Sequence, residues 1–226
     1  MVRLQFSIEL GYDIDPPGCD FILSIHAAQT ARQTVVSESL HISQPLAQML
    51  YTDPHTHTRY LRLKAMSGPL TARYAATVDL DHFQGQPDQL GEVAVADLPG
   101  EVLPYLYPSR YCQSDRLLRF ALNEFGHLAH GYSRVQAIRD WVINRVKFRS
   151  NTSDTLVEGT GVCRDFTHLM IALCRALNIP ARFATGIDYG ADPALGPTDF
   201  HAYVEVFVGY RWYIFDASGV AVPMGF

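Results

Sequence analysis

Apolar and polar residues alternate through the first hundred positions. Leu4, Phe6, Ile8 and Leu10 fall on every second place, the period of a strand with one buried face. Asp15-Pro16-Pro17-Gly18 breaks the run, alternation returns over 21–27, and 34–42 reads T-V-V-S-E-S-L-H-I with more β character. Residues 60–66 and 71–80, split by Ser67-Gly68-Pro69, read as a hairpin. The pattern predicts six or seven strands in a small β-sandwich over 1–98. Residues 99–113 contain Pro99, Pro104 and Pro108 and no helical period, which predicts an extended linker. The period then changes to that of helices. Ser114 is placed to cap one over 114–125 with Leu117, Leu118, Ala121 and Leu122 inward, and Ser133 another over 133–146 with Val135, Ile138, Val142 and Val146 inward. Trp141 lies beside that second stripe and reads as core.

The stretch 158–180 reads E-G-T-G-V-C-R-D-F-T-H-L-M-I-A-L-C-R-A-L-N-I-P. After Cys163, residues Phe166, Leu169, Met170, Leu173, Cys174 and Leu177 recur at steps of three and four, one buried helical stripe. Cys163 therefore sits in the first turn, where unpaired N–H groups and the positive end of the helix dipole favour an anion. That suits a thiol nucleophile and the oxyanion it would generate. Gly159 and Gly161 permit the tight backbone that delivers it. Asp165 reads as a first-turn cap, and His168, about 140° around the helix from Cys163, is a poor base for it.

Residues 182–187 read as a strand, 188–199 as a mobile Gly/Pro/Ala-rich wall or lid, and 201–208 with 211–216 as a hairpin turning at Gly209-Tyr210. A loop of two or four residues places His201 opposite Asp216 or Ser218, so that His201 and Asp216 share a face. A three-residue loop would separate them. With the even pairing, Asp216 can hold one ring nitrogen of His201 while the other faces Cys163, the logic of nucleophile, base and orienter.

The segments G-V-C-R-D-F-T-H-L, D-F-H-A-Y-V-E-V and R-W-Y-I-F-D-A resemble the three core motifs of bacterial transglutaminase-like proteins, a superfamily of papain-like thiol enzymes. The resemblance covers roughly 114–217. It implies an α+β fold, with helices packed on an antiparallel sheet behind an N-terminal β-domain, and a catalytic core spanning 114–226. It implies Cys163 as nucleophile, His201 as general base and acid, and Asp216 as its orienter. The activity implied is thiol-dependent hydrolysis of peptide or amide bonds through a thioester. Transfer to an amine acceptor, or a non-catalytic binding module on the same fold, are the alternatives. Members of the group usually continue for several dozen residues past the Asp motif; this chain ends at Phe226.

Composition narrows the partners. The chain has 226 residues, 48% of them hydrophobic, and a net charge of −5 from 18 basic and 23 acidic side chains. That is no basic footprint for nucleic acid or an anionic membrane. The first residues, M-V-R-L-Q-F-S-I-E, alternate like a strand and lack a leader's apolar run, so the expected compartment is the cytoplasm. Cysteines 19, 112, 163 and 174 show no C-x-x-C spacing, so neither a disulfide framework nor a zinc site is expected. His55 and His57 lack a third ligand and read as a solvated turn, and the acids of 188–199 match no calcium loop. No metal or cofactor is expected.

Overall fold

The computed structural model describes residues 1–148, 159–187 and 200–219. The chain divides into two compact units, Met1–Phe83 and Gln84–Phe226.

The first unit holds two three-stranded antiparallel sheets. In one, β6 (Gly68–Leu80) lies between β1 (Val2–Ile14) and β3 (Gln33–Ile42); in the other, β5 (Arg59–Ala65) lies between β2 (Cys19–Leu23) and β4 (Met49–Thr52). Alternation sets which faces are inside: Leu61, Leu63 and Ala65 of β5, and Leu70, Ala72, Tyr74, Ala76 and Val78 of β6, are all buried. The expected hairpin between 60–66 and 71–80 does not form. β5 and β6 belong to different sheets, because β6 pairs along its length with β1, from Val2↔Leu80 to Ile14↔Gly68. A polar cluster joins the two sheets. Arg59 of β5 donates two hydrogen bonds to Glu38 of β3, at 2.7 and 2.8 Å. The buried Tyr74 hydroxyl donates to Glu38 at 2.8 Å and accepts the Ala27 N–H at 3.1 Å. Arg59 and Tyr74 together hold the Glu38 carboxyl down to about 2, against the opposing effect of its partial burial. His55 and His57 lie in the turn after β4, closed by Asp53 Oδ1, which accepts the N–H groups of His55 and Thr56.

In the second unit, α1 (Ser114–Phe125), α2 (Tyr132–Arg145) and α3 (Cys163–Ala176) surround a core with the antiparallel sheet of β9 (Ala181–Ile187), β10 (Phe200–Val208) and β11 (Arg211–Phe215), in which β10 is central. A short parallel pair, β7 (Lys147–Phe148) and β8 (Thr160–Gly161), ties the end of α2 to the approach of α3. The expected stripes of α2 and α3 are inside: Val135, Ile138, Val142 and Val146, and all six of Phe166, Leu169, Met170, Leu173, Cys174 and Leu177.

α1 is rotated from expectation. It buries Ser114, Ala121 and Phe125, while Leu118 and Leu122 stay 45% and 51% exposed. Neither expected serine cap is used. Ser114 is already inside its helix, and α2 is instead started by the Glu92 carboxylate, which accepts the Gly131 N–H at 3.0 Å and pairs with the buried Arg134. The stretch expected as an extended linker contains a 3-10 helix, Gly100–Leu106, whose Val102 is buried in a cluster with Phe207. Its apolar residues pack on the outer face of the sheet, which outweighs the prolines' preference for extended chain. Arg182 adds to that face, lying 4.2 Å over the Trp212 ring and bonded to Glu205 at 2.6 Å. Among the described residues, no helix is long and apolar enough to cross a membrane.

The start of α3 decides where the site can be. Gly159 adopts φ +64 and Val162 returns to extended backbone as the N-cap. Asp165 Oδ2 accepts the Val162 N–H at 2.9 Å, so its first-turn carboxylate is a structural cap.

Two outcomes follow for stability. The lowered Glu38 carboxyl contributes stability that is present above its ordinary value of 4.5 and is lost as pH falls toward about 2. Acid denaturation followed by circular dichroism should show this loss in the wild type and a flatter response in Glu38→Gln. Asp165→Ala should lower stability to urea by about 1 kcal/mol, the usual cost of losing a helix cap.

Candidate active site

Three elements present the candidate side chains. α3 carries Cys163, half-buried, as its first residue. One turn on, the buried Thr167 hydroxyl donates to the Ala202 carbonyl at 3.1 Å. The start of the helix is thereby pinned to the start of β10, beside His201. The hairpin turns through the two residues Gly209 and Tyr210, pairing Val208 with Arg211 and Val204 with Phe215. This is the even register, so His201 and Asp216 fall on one face, one diagonal apart. On the other side of β10, Gly186 stands opposite His201, and the Tyr203 ring lies against that glycine and packs edge-on against the imidazole at 4.7 Å.

The structure brings His201 and Asp216 together: His201 Nε2 lies 3.0 Å from Asp216 Oδ1, both side chains being mostly buried. The Asp216 carboxylate can therefore accept the Nε2–H, which leaves Nδ1 as the ring's basic nitrogen. The Arg139 guanidinium on α2 donates to the Asp216 carbonyl at 2.8 Å and fixes the backbone beneath the carboxylate. Residue 218 is a partner that sequence reasoning noted only as a register position. The Ser218 N–H and hydroxyl donate to Asp216 Oδ1 at 2.9 and 2.7 Å. The available signal was Asp-x-Ser after a strand, an Asx-turn pattern.

A second thiol and imidazole also meet. Cys112 Sγ is 3.5 Å from His168 Nδ1. The surroundings are unlike those of Cys163. Cys112 is buried and desolvation pushes its thiol up, while burial pushes His168 down, so the surroundings favour the neutral form of each and disfavour the thiolate a nucleophile needs. His168 is stacked between Tyr111 at 5.3 Å and Phe183 at 5.0 Å, a packing role. Cys174 is wholly buried, with its thiol pushed up to about 12. Trp141 meets Phe120 and Phe125 edge to face and belongs to the helical core. The expected lid, 188–199, lies outside the described residues. Among the described residues, no cluster of three or more His, Cys, Asp or Glu side chains could hold a metal ion.

Comparison with known proteins identifies relatives of both parts of the chain. Residues 121–217, which include Cys163, His201 and Asp216, match the transglutaminase-like superfamily, and residues 2–101 match the N-terminal domain of bacterial transglutaminases. A crystal structure from Cytophaga hutchinsonii, of a protein described as a candidate cysteine protease, superposes with a TM-score of 0.85 at 39% identity, covering 97% of this chain and 80% of that one. The periplasmic domain of TgpA from Pseudomonas aeruginosa, bound to ethylmercury, gives a TM-score of 0.45 at 17% identity, covering 97% of this chain and 78% of that one. An uncharacterized Mycobacterium leprae protein, ML0607, is 30% identical over 77 residues, 32% of this chain, which spans 28% of that relative's length. The chain belongs to the transglutaminase-like superfamily, with the N-terminal domain of the bacterial transglutaminases ahead of the core.

Proposed function

We propose that the protein is a thiol-dependent hydrolase of peptide or amide bonds that uses Cys163, His201 and Asp216. The observation that carries this reading is the contact of His201 Nε2 with Asp216 at 3.0 Å, on the strand pinned to the helix that Cys163 begins. In the reaction, Nδ1 of His201 takes the thiol proton and the Cys163 sulfur attacks the carbonyl carbon. Negative charge develops on the carbonyl oxygen, and the N–H groups that open the helix, with the positive end of its dipole, stabilise it. The intermediate collapses as His201 returns the proton to the leaving amine, and a thioester remains. Water, deprotonated by the same ring, then attacks the thioester, releasing the acid and the thiol. Asp216 stays ionised and holds the ring, favouring its positive form. An amine attacking the thioester in place of water would give transamidation by the same chemistry.

The three roles predict unequal losses when a panel of peptide amides is assayed. Cys163→Ala should abolish turnover with unchanged circular dichroism, and His201→Ala should come close to it. Asp216→Ala should retain activity on the order of tens of times that of the Cys163 variant, as an orienter's loss is milder than a nucleophile's. Cys112→Ala should keep most of the activity. Full hydrolysis by a clean Cys163→Ala preparation would end the thiol mechanism in favour of a binding module.

Iodoacetamide near neutral pH supplies a second check. Cys163 should alkylate quickly, and the buried Cys112 and Cys174 should not. Peptide mapping that finds Cys163 as inert as Cys174 would contradict its assignment as nucleophile.

A further inference from the structure

We infer that Ser218 is a positioning residue of the site, acting through Asp216 to hold the tautomer and direction of His201. This rests on the proposed role of His201 as base, but its structural basis is independent of any turnover. Asp216 Oδ1 receives two hydrogen bonds from Ser218, the N–H at 2.9 Å and the hydroxyl at 2.7 Å, and it is the same oxygen that lies 3.0 Å from His201 Nε2. The Ser218 oxygen itself is 3.4 Å from that nitrogen. Serine hydroxyl, carboxylate oxygen and imidazole N–H thus form a closed triangle in which the Nε2–H is shared between two acceptors.

The backbone explains why the residue is there. Were β11 to continue in its register, Ser218 would lie directly opposite His201, since Val204 pairs with Phe215 and Val208 with Arg211. The strand instead ends at Phe215, and the next three residues curl so that Ser218 folds back on the Asp216 side chain. Ala217 and Ser218 are both buried, at 0% and 8% exposure, so water competes poorly for the carboxylate. Arg139 holds the carbonyl of the same residue from α2. Two donors on one carboxylate oxygen restrict rotation of the Asp216 side chain, and that oxygen can then meet Nε2–H in one direction only. A serine that merely completed a turn would need only its N–H; the hydroxyl is the part this role requires.

The test compares Ser218→Ala, which removes one hydroxyl with almost no change of volume, with Ser218→Thr, which restores it. For hydrolysis of a peptide amide, Ser218→Ala should lower kcat by roughly tenfold, the lower end for a hydrogen bond to a charged group, with KM little changed. Ser218→Thr should recover most of the loss. Independently of activity, the Nε2–H proton of His201 should give a slowly exchanging downfield NMR signal in the wild type and in Ser218→Thr, and lose it in Ser218→Ala. An unchanged signal and unchanged kcat in Ser218→Ala would overturn the inference. Loss and rescue of the signal in a protein with no amidase activity would uphold the positioning role while refuting the hydrolase reading. Were Ser218→Thr to unfold, the signal in Ser218→Ala alone would still decide.

Discussion

The hydrogen bond between His201 and Asp216 is the constraint on which the site depends, and it exists because the hairpin turns in two residues. Side chains alternate along a strand, so one residue more or fewer between β10 and β11 would send His201 and Asp216 to opposite faces of the sheet. Gly209 and Tyr210 both take positive φ, at 56 and 60°, the backbone that tight two-residue turns need. With the register set, Ser218 bonds the Asp216 carboxylate and Arg139 the backbone carbonyl of the same residue. The imidazole then has Nε2 committed to Asp216, which leaves Nδ1 for the proposed role as base.

The proposed nucleophile is placed by a different device. Cys163 heads a helix whose body is almost entirely buried, so its position is set by core packing over several turns. The free thiols of the chain show how much environment matters. Cys174 lies on the same helix in the core and Cys112 touches an imidazole, yet burial pushes both thiols up. Cys163 differs in standing at the helix start, half-buried, where N–H groups and the dipole welcome charge.

Much of this was legible in the sequence because it rests on periodicity. The stripe of α3, the inward face of α2, the hairpin of β10 and β11 and the shared face of His201 and Asp216 follow from steps of 3.6 and 2. What was not legible depends on distant parts of the chain. Residues 60–66 and 71–80 look like a hairpin locally, but β1 offers β6 a longer partner, and a tight Ser-Gly-Pro turn serves equally to pass from one sheet to the other. α1 could bury either of two faces, and Phe125 rather than Leu118 and Leu122 won the core. The 3-10 helix at 100–106 needs the outer face of the sheet to make it worthwhile. Ser218 matters only because the chain curls after Phe215, which no local pattern announces beyond Asp-x-Ser.

The most direct measurement is of the covalent intermediate. The protein would be mixed with an activated amide, such as a peptide p-nitroanilide, quenched in acid within the first turnovers, digested and mapped by mass. The thiol mechanism requires an acyl group on the peptide that carries Cys163, absent from the Cys163→Ala protein. Steady hydrolysis with no acyl group at Cys163, or with one on Cys112 instead, would contradict it.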